Sequence, residues 1–76
     1  MSELEWLREF SINLRRMMWD ARMTQRELAD LSGLSESCIS RYLNGTHAPS
    51  YKAIINLAYV FGCNTDDLID FGSRIY

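Results

Sequence analysis

Apolar residues recur along the chain at the spacing of α-helices, and no segment alternates in the manner of a β-strand. The first segment carries an amphipathic stripe of Leu7, Phe10, Leu14, Met17, Met18 and Ala21. A second stripe consists of Ile54, Leu57, Ala58 and Phe61. Core packing explains these stripes better than a ligand pocket does, because short helices depend on tertiary burial.

Helix start and stop signals divide the chain into five segments. Ser2 with Glu5 and Thr24 with Glu27 have the spacing of a capping box, and Ser35 is a favourable N-cap. Glycines at 33, 45 and 62 follow apolar runs, where a helix ends most easily. The predicted helices are residues 3–21, 24–32, 35–43, 50–61 and 65–71. We therefore predict an all-α, compact five-helix bundle.

Length and composition restrict the classes of protein. The chain has 76 residues, of which 47% are apolar and 24% charged, as expected for one folded domain over residues 1–76. Taken alone, the net charge of −2 argues against binding to nucleic acid. However, the stretch from Arg8 to Lys52 holds seven basic and five acidic residues, so a local basic face is compatible with an acidic protein.

The residues that carry metal, redox or catalytic chemistry are few. Cys38 and Cys63 form no CxxC motif, and with His47 they match no zinc pattern, which predicts reduced thiols and no metal. The sequence has no Gly-rich phosphate loop and a single histidine, so we expect no enzyme, no cofactor and no small-molecule substrate. No signal peptide or membrane span is recognisable, which predicts a cytoplasmic protein without membrane contact.

Residues 24–45, TQRELADLSGLSESCISRYLNG, have the pattern of a helix-turn-helix. Two short helical segments meet at Ser32-Gly33-Leu34, and a short turn containing glycine is typical of this motif. Ala29 is small where the two helices must touch, and Ile39 is apolar where the second helix must face the core.

The second of these helices divides into two faces at about 100° per residue. The polar face consists of Glu36, Ser37, Ser40, Arg41 and Asn44. The other face consists of Cys38, Ile39, Tyr42 and Leu43. Short hydroxyl and amide groups with one arginine suit close approach to base edges. An ordinary solvated helix face is the alternative that this pattern leaves open.

The motifs resemble the helix-turn-helix domain of the phage repressor and Cro family, the XRE-type regulators. The matching pieces are Met23-Thr24-Gln25-x-x-Leu28-Ala29, Gly33-Leu34-Ser35, Ile39-Ser40-Arg41-Tyr42-x-Asn44-Gly45, Pro49-Ser50, Leu57-Ala58, Phe61-Gly62 and Asp66-x-Leu68. The resemblance covers about residues 10–71, and residues 72–76 form a short tail. It implies a lambda-repressor-like fold and binding to double-stranded DNA.

The resemblance also implies roles for individual residues. The residues assigned to base readout are Glu36, Ser37, Ser40 and Arg41. Phosphate contacts fall to Thr24, Gln25, Ser35, Asn44 and Thr46, with Thr24 and Ser35 also serving as helix caps. Two interpretations remain open for Glu36, acceptance from a cytosine amino group or plain solvation, because its charge repels phosphate. Arg41 has the alternative of pairing with Glu36 or meeting only solvent.

The sequence departs from the family at two places. Many members pair an arginine of the first helix with a glutamate before the Asn-Gly; here these positions hold Met18 and Leu43, which predicts an apolar contact. The loop after Gly45 often carries lysine or arginine, whereas here it reads Thr46-His47-Ala48. Fewer cations release fewer counterions, which weakens non-specific binding to DNA.

These features predict a sequence-specific transcriptional regulator, a repressor that reads the major groove with residues 35–43. It is expected to bind a two-fold-symmetric operator as a homodimer, with dimer contacts from the fourth-to-fifth helix region and from Phe71, Ile75 and Tyr76. The alternative is an antitoxin or another protein-interaction subunit with the same fold, bound to a protein partner.

Overall fold

The computed structural model describes residues 3–69, with the side chain of Glu3 excepted. This part of the chain consists of α1 (Glu3–Ala21), α2 (Gln25–Ser32), α3 (Glu36–Asn44), α4 (Tyr51–Phe61) and α5 (Thr65–Ile69), and it contains no strand. The prediction of an all-α five-helix bundle is therefore confirmed. The predicted cap at Ser2 and the predicted end of the last helix at residue 71 lie outside the described residues.

The helix boundaries follow the predicted caps. The side chain of Thr24 accepts from the backbone N–H of Glu27, and the Glu27 carboxylate accepts from the backbone N–H of Thr24, each at 3.1 Å. The hydroxyls of Ser35 and Ser50 cap α3 and α4, since each accepts from the backbone N–H three residues later. α1 and α5 begin at the predicted residues, whereas α2, α3 and α4 begin one residue later than predicted, because a cap residue keeps an extended backbone. α3 also continues one residue further than predicted, to Asn44.

α1 ends in an unusual way, at an arginine with a left-handed backbone. Arg22 has φ 53°, and within residues 3–69 it is the only residue other than glycine with a positive φ. Its N–H donates to the carbonyl of Trp19 at 3.0 Å, and the N–H of Met23 donates to the carbonyl of Met18 at 2.9 Å. These two bonds satisfy terminal carbonyls of α1 and turn the chain into α2.

Every helix contributes at least one fully buried side chain to a single core. These side chains are Phe10, Leu14, Leu28, Ile39, Leu57 and Leu68. α1 packs on α3 and α5, α2 packs on α3 and α4, and α4 packs on α5. The predicted stripe on α1 is correct at Phe10, Leu14 and Met18, whereas Ala21 is exposed because it is the last residue of the helix.

Aromatic rings line one side of this core. The rings of Trp6 and Phe10 are stacked with centroids 5.6 Å apart. Phe10 meets Tyr42 of α3 edge-on at 5.9 Å, an arrangement favoured by the ring quadrupoles. This contact fixes the apolar side of α3 against α1.

Within residues 3–69, none of the helices combines the length and the apolarity that a bilayer span requires.

Candidate nucleic-acid interface

α2 and α3 are joined by the three residues Gly33, Leu34 and Ser35, which form the turn of a helix-turn-helix. Gly33 adopts φ 75°, and a Cβ at this position would meet nothing within 4 Å. Glycine is favoured here by the left-handed backbone and not by lack of space. The Ser32 hydroxyl accepts from the N–H of Leu34 at 3.3 Å, which closes the turn from inside.

α4 holds the same turn from outside. The side-chain amide of Asn56 donates to the carbonyl of Ser32 at 3.1 Å. Ser32 is buried, so its carbonyl has little access to water and benefits from this donor. The role of Asn56 was not predicted, because a single amide on α4 has no local sequence pattern that would indicate its partner.

The two faces of α3 differ in burial as predicted. Ile39, Tyr42 and Leu43 are buried at 0%, 6% and 9% exposure. The candidate base-reading residues Glu36, Ser37 and Arg41 are exposed, and so is Asn44. Cys38 is half-buried, and so is Ser40, which lines a groove between α1, α2 and α3. α3 thus presents a polar strip while its opposite side is anchored in the core.

The first turn of α2 carries two candidate phosphate contacts, Thr24 and Gln25, and both are exposed. The first amides of a helix have no acceptor within the helix. Thr24 satisfies the amide of Glu27 at 3.1 Å, which leaves those of Gln25 and Arg26 pointing outward from the helix end. An exposed amide side chain beside such N–H groups is a suitable donor set for a phosphate oxygen.

The first turn of α3 has a similar construction. The hydroxyl of Ser35 accepts from the N–H of Cys38 at 3.1 Å, so Ser35 is an N-cap as predicted. Its hydroxyl hydrogen can still be donated to a ligand. Glu36 follows at once, where a carboxylate is favoured by the helix dipole. The helix dipole therefore explains a carboxylate at position 36 without any role of Glu36 in base readout.

The segment after α3 is closed by its own hydrogen bonds. Both the N–H and the hydroxyl of Thr46 donate to the carbonyl of Arg41 at 3.2 Å. The Thr46 hydroxyl oxygen also lies 3.0 Å from Nδ1 of His47. Thr46 therefore closes the C-terminal end of α3 after the cap residue Gly45, and it is exposed, as are Asn44 and His47.

A groove of about 360 Å³ between α1, α2 and α3 brings several candidate residues together. Gln25, Ser40 and Asn44 line this groove, although they come from two helices. Arg15 of α1 lines it too and was not singled out from the sequence. Its Nη2 donates to the carbonyl of Leu43 at 3.0 Å, which ties α1 to the end of α3.

Met18 and Leu43, which replace the charge pair of many family members, are both buried and line this groove. Both side chains therefore lie beside the groove in which Arg15 donates to the Leu43 carbonyl. A buried ion pair replaced by packed apolar groups is often neutral or stabilising.

Two titratable side chains have shifted pKa values. Burial, with the neighbouring Cys38 as the second cause, raises the pKa of Tyr42 to about 12. Burial and the carboxylate of Asp67 raise the pKa of the Cys63 thiol. Both groups therefore stay protonated at neutral pH.

Among the described residues there is no cluster of three or more side chains arranged to hold a metal ion.

Comparison with known proteins agrees with this geometry. The family model for the Cro/C1-type HTH DNA-binding domain matches residues 13–72. The uncharacterized HTH-type transcriptional regulator YqaE of Bacillus subtilis (strain 168) is 30% identical over 60 residues. The match covers 79% of this chain and 52% of that protein, so the chain spans about half the length of this relative.

Solved structures have the same arrangement of helices. The restriction-modification controller protein C.AhdI from Aeromonas hydrophila is similar with a TM-score of 0.79 and 29% identity, over 82% of this chain and 94% of that one. The SOS-response transcriptional repressor LexA from Eubacterium rectale gives 0.80 and 29%, over 86% and 69%. An HTH_3 family transcriptional regulator from Vibrio cholerae gives 0.87 at 11% identity, over 97% and 42%, which supports the fold alone.

These relatives are described as transcriptional regulators or controller proteins, and none is described as an enzyme. Three observations indicate a DNA-binding domain: the matched family model, the turn at Gly33 and the exposed polar strip of α3. The chain belongs to the Cro/C1-type helix-turn-helix family, and its residues 13–72 form a DNA-binding domain of that type.

Proposed function

We propose that this protein is a transcriptional repressor that binds a two-fold-symmetric operator as a homodimer and reads the major groove with α3. The observation that carries the proposal is the division of α3, with Ser37 and Arg41 exposed and Ile39 fully buried. A helix held in this way presents its polar side chains with little freedom to reorient, which favours recognition of base edges.

Within this proposal, the exposed polar strip supplies the base contacts. Arg41 donates to guanine O6 and N7, and Ser37 and Ser40 make shorter-range contacts to neighbouring bases. Glu36 accepts from a cytosine amino group or remains solvated. Thr24, Gln25, Ser35, Asn44 and Thr46 contact phosphates on either side of the groove and fix the register of α3.

The homodimer follows from the symmetry that such operators require. Two copies of α3 must lie about 34–36 Å apart to enter the groove on one side of the duplex. α4 supports self-association because Ile55 and Tyr59, at 43% and 85% exposure, lie on its outer side. With Leu31 of α2 they line a groove of about 420 Å³. The other proposed dimer residues, Phe71, Ile75 and Tyr76, lie outside the described residues.

Selection from random duplex DNA with the purified protein tests this proposal. We expect a palindromic consensus whose half-sites are centred one helical turn apart. A consensus without symmetry would contradict the homodimer, and recovery of no consensus would contradict base readout by α3. Sedimentation equilibrium in parallel should show a dimer that Tyr59→Ala weakens.

The second candidate function is a subunit that binds another protein through the apolar groove at Leu31, Ile55 and Tyr59. The exposure of these three side chains and the net charge of −2 favour it. A stable heterologous partner together with no retardation of DNA at low salt would support this function. A steep fall of DNA affinity with added salt would contradict it.

A further inference from the structure

The backbone at Arg22 is better suited to glycine than to arginine. Its φ of 53° lies in the left-handed region, where a Cβ is unfavourable. The two hydrogen bonds that end α1 fix this conformation. The side chain is nevertheless long, cationic and exposed. Backbone stability alone favours glycine at this position, so the guanidinium is the feature that needs an explanation.

The indole of Trp19, three residues before Arg22, is exposed to solvent. The exposed fraction of Trp19 is 81%. The other tryptophan of the chain, Trp6, is half-buried and stacked on Phe10. Tryptophan is buried on average, and exposed aromatic side chains are enriched where a partner binds. The indole carries one N–H donor and no acceptor, which suits a phosphate or sugar oxygen.

Trp19 and Arg22 belong to one surface that continues into the candidate DNA interface. They line a groove of about 490 Å³ together with Thr24, the cap of α2. Trp19 also lines the groove that holds Gln25, Ser40 and Asn44. The two grooves share Met18, Trp19 and Met23. A duplex that contacts Gln25 therefore passes close to the end of α1.

The charges of the chain favour a cation at this end of the interface. Among the candidate contact residues, Arg41 is the only cation, and the loop Thr46-His47-Ala48 carries no lysine or arginine. Affinity for duplex DNA depends mainly on neutralised phosphates. Arg22 supplies a cation on the α2 side of the interface, away from Arg41 on α3.

We infer that Arg22 and Trp19 form an additional, sequence-independent contact to the DNA backbone, on a phosphate and its deoxyribose outside the base-reading site. The guanidinium donates to the phosphate oxygens, and the indole packs on the sugar or donates its N–H to the same phosphate. This inference rests on the proposed function, because it requires that α2 and α3 face a duplex.

The salt dependence of DNA binding tests the role of Arg22. We expect Arg22→Gln to weaken binding to the selected operator and to random duplex by the same factor. The slope of log K against log salt should become shallower by about 1, the value for one phosphate contact. The matched control is Arg8→Gln, which removes the same charge from α1 at its other end.

Arg8 is a suitable control because it is exposed and lines neither of the two grooves. It precedes Arg22 by 14 residues, which is about 20 Å along a helix axis. Equal changes of slope in the two variants, or no change in Arg22→Gln, would overturn the inference.

Tryptophan fluorescence tests Trp19 separately. Random duplex should shift the emission and reduce quenching by acrylamide in the wild-type protein, and Trp19→Phe should abolish both effects. Persistence of the effects in Trp19→Phe, or their absence in the wild type bound to DNA, would overturn the contact. If the wild-type protein fails to bind any duplex, the proposed function fails as well; if it binds and only these tests fail, the additional contact alone is wrong.

Discussion

The side-chain amide of Asn56 on α4 donates a hydrogen bond of 3.1 Å to the carbonyl of Ser32, the last residue of α2. The helix-turn-helix is therefore held by a residue that does not belong to it. The turn also receives internal support from the Ser32 hydroxyl. The angle between α2 and α3 thus depends on the packing of α4 as well as on the turn itself.

We predict that Asn56→Ala lowers the free energy of unfolding by about 1–2 kcal/mol, because a buried carbonyl loses its donor. Urea denaturation measures this change. Asn44→Ala removes an exposed amide at the end of α3 and should change stability by about 0.5 kcal/mol or less. Equal effects of the two substitutions would show that the Asn56 bond does not hold the turn.

We predict that Arg41→Ala costs about 1–3 kcal/mol in binding at one base position of the operator and relaxes the preference there. Binding-site selection with the variant measures this effect. Gln25→Ala should instead weaken all sequences alike, because a phosphate contact carries no base information. An unchanged selection profile for Arg41→Ala would refute its assignment to base readout.

We predict that Arg22→Gly raises the free energy of unfolding by about 0.5–1 kcal/mol, because glycine adopts the left-handed backbone without steric cost. Thermal and urea unfolding measure this gain. The matched control is Ala21→Gly, at a helical residue next to it, which should lower stability by about 0.5–1 kcal/mol. A loss of stability in Arg22→Gly would mean that the arginine side chain contributes more than its backbone costs.

We predict that stability falls as the pH rises above about 10, partly because of Tyr42. Its pKa is about 12 in the folded protein, so the phenol ionises first in the unfolded chain. Its contribution is complete below the unfolded pKa and is lost as the pH approaches 12. Unfolding of Tyr42→Phe as a function of pH should show a shallower alkaline decline, whereas Tyr59→Phe, which removes an exposed phenol, should not.

The elements that were predicted correctly depend on short stretches of sequence. Thr24 and Glu27 lie three residues apart, and their reciprocal bonds need only one turn of helix. Gly33 ends α2 because of its own backbone freedom. The division of α3 into an exposed and a buried face follows from helical periodicity, which places Ile39 and Arg41 on different sides.

The contacts that were not predicted join residues distant in the sequence. Arg15 reaches the carbonyl of Leu43, and Asn13 reaches that of Leu68. The carbonyls that accept these bonds are present at every residue, so no side-chain pattern distinguishes them. Their partners are selected only by the way in which α1 packs on α3 and α5.

The sequence by itself determined where helices begin and end and which face of each is apolar, because capping and periodicity act over a few residues. Only the tertiary structure decided that Trp19 shares a groove with Ser40 and Asn44 and that Asn56 supports the turn at Ser32. These relationships arise when the helices bury their apolar faces together, because burial of one face fixes which polar groups of different helices become neighbours.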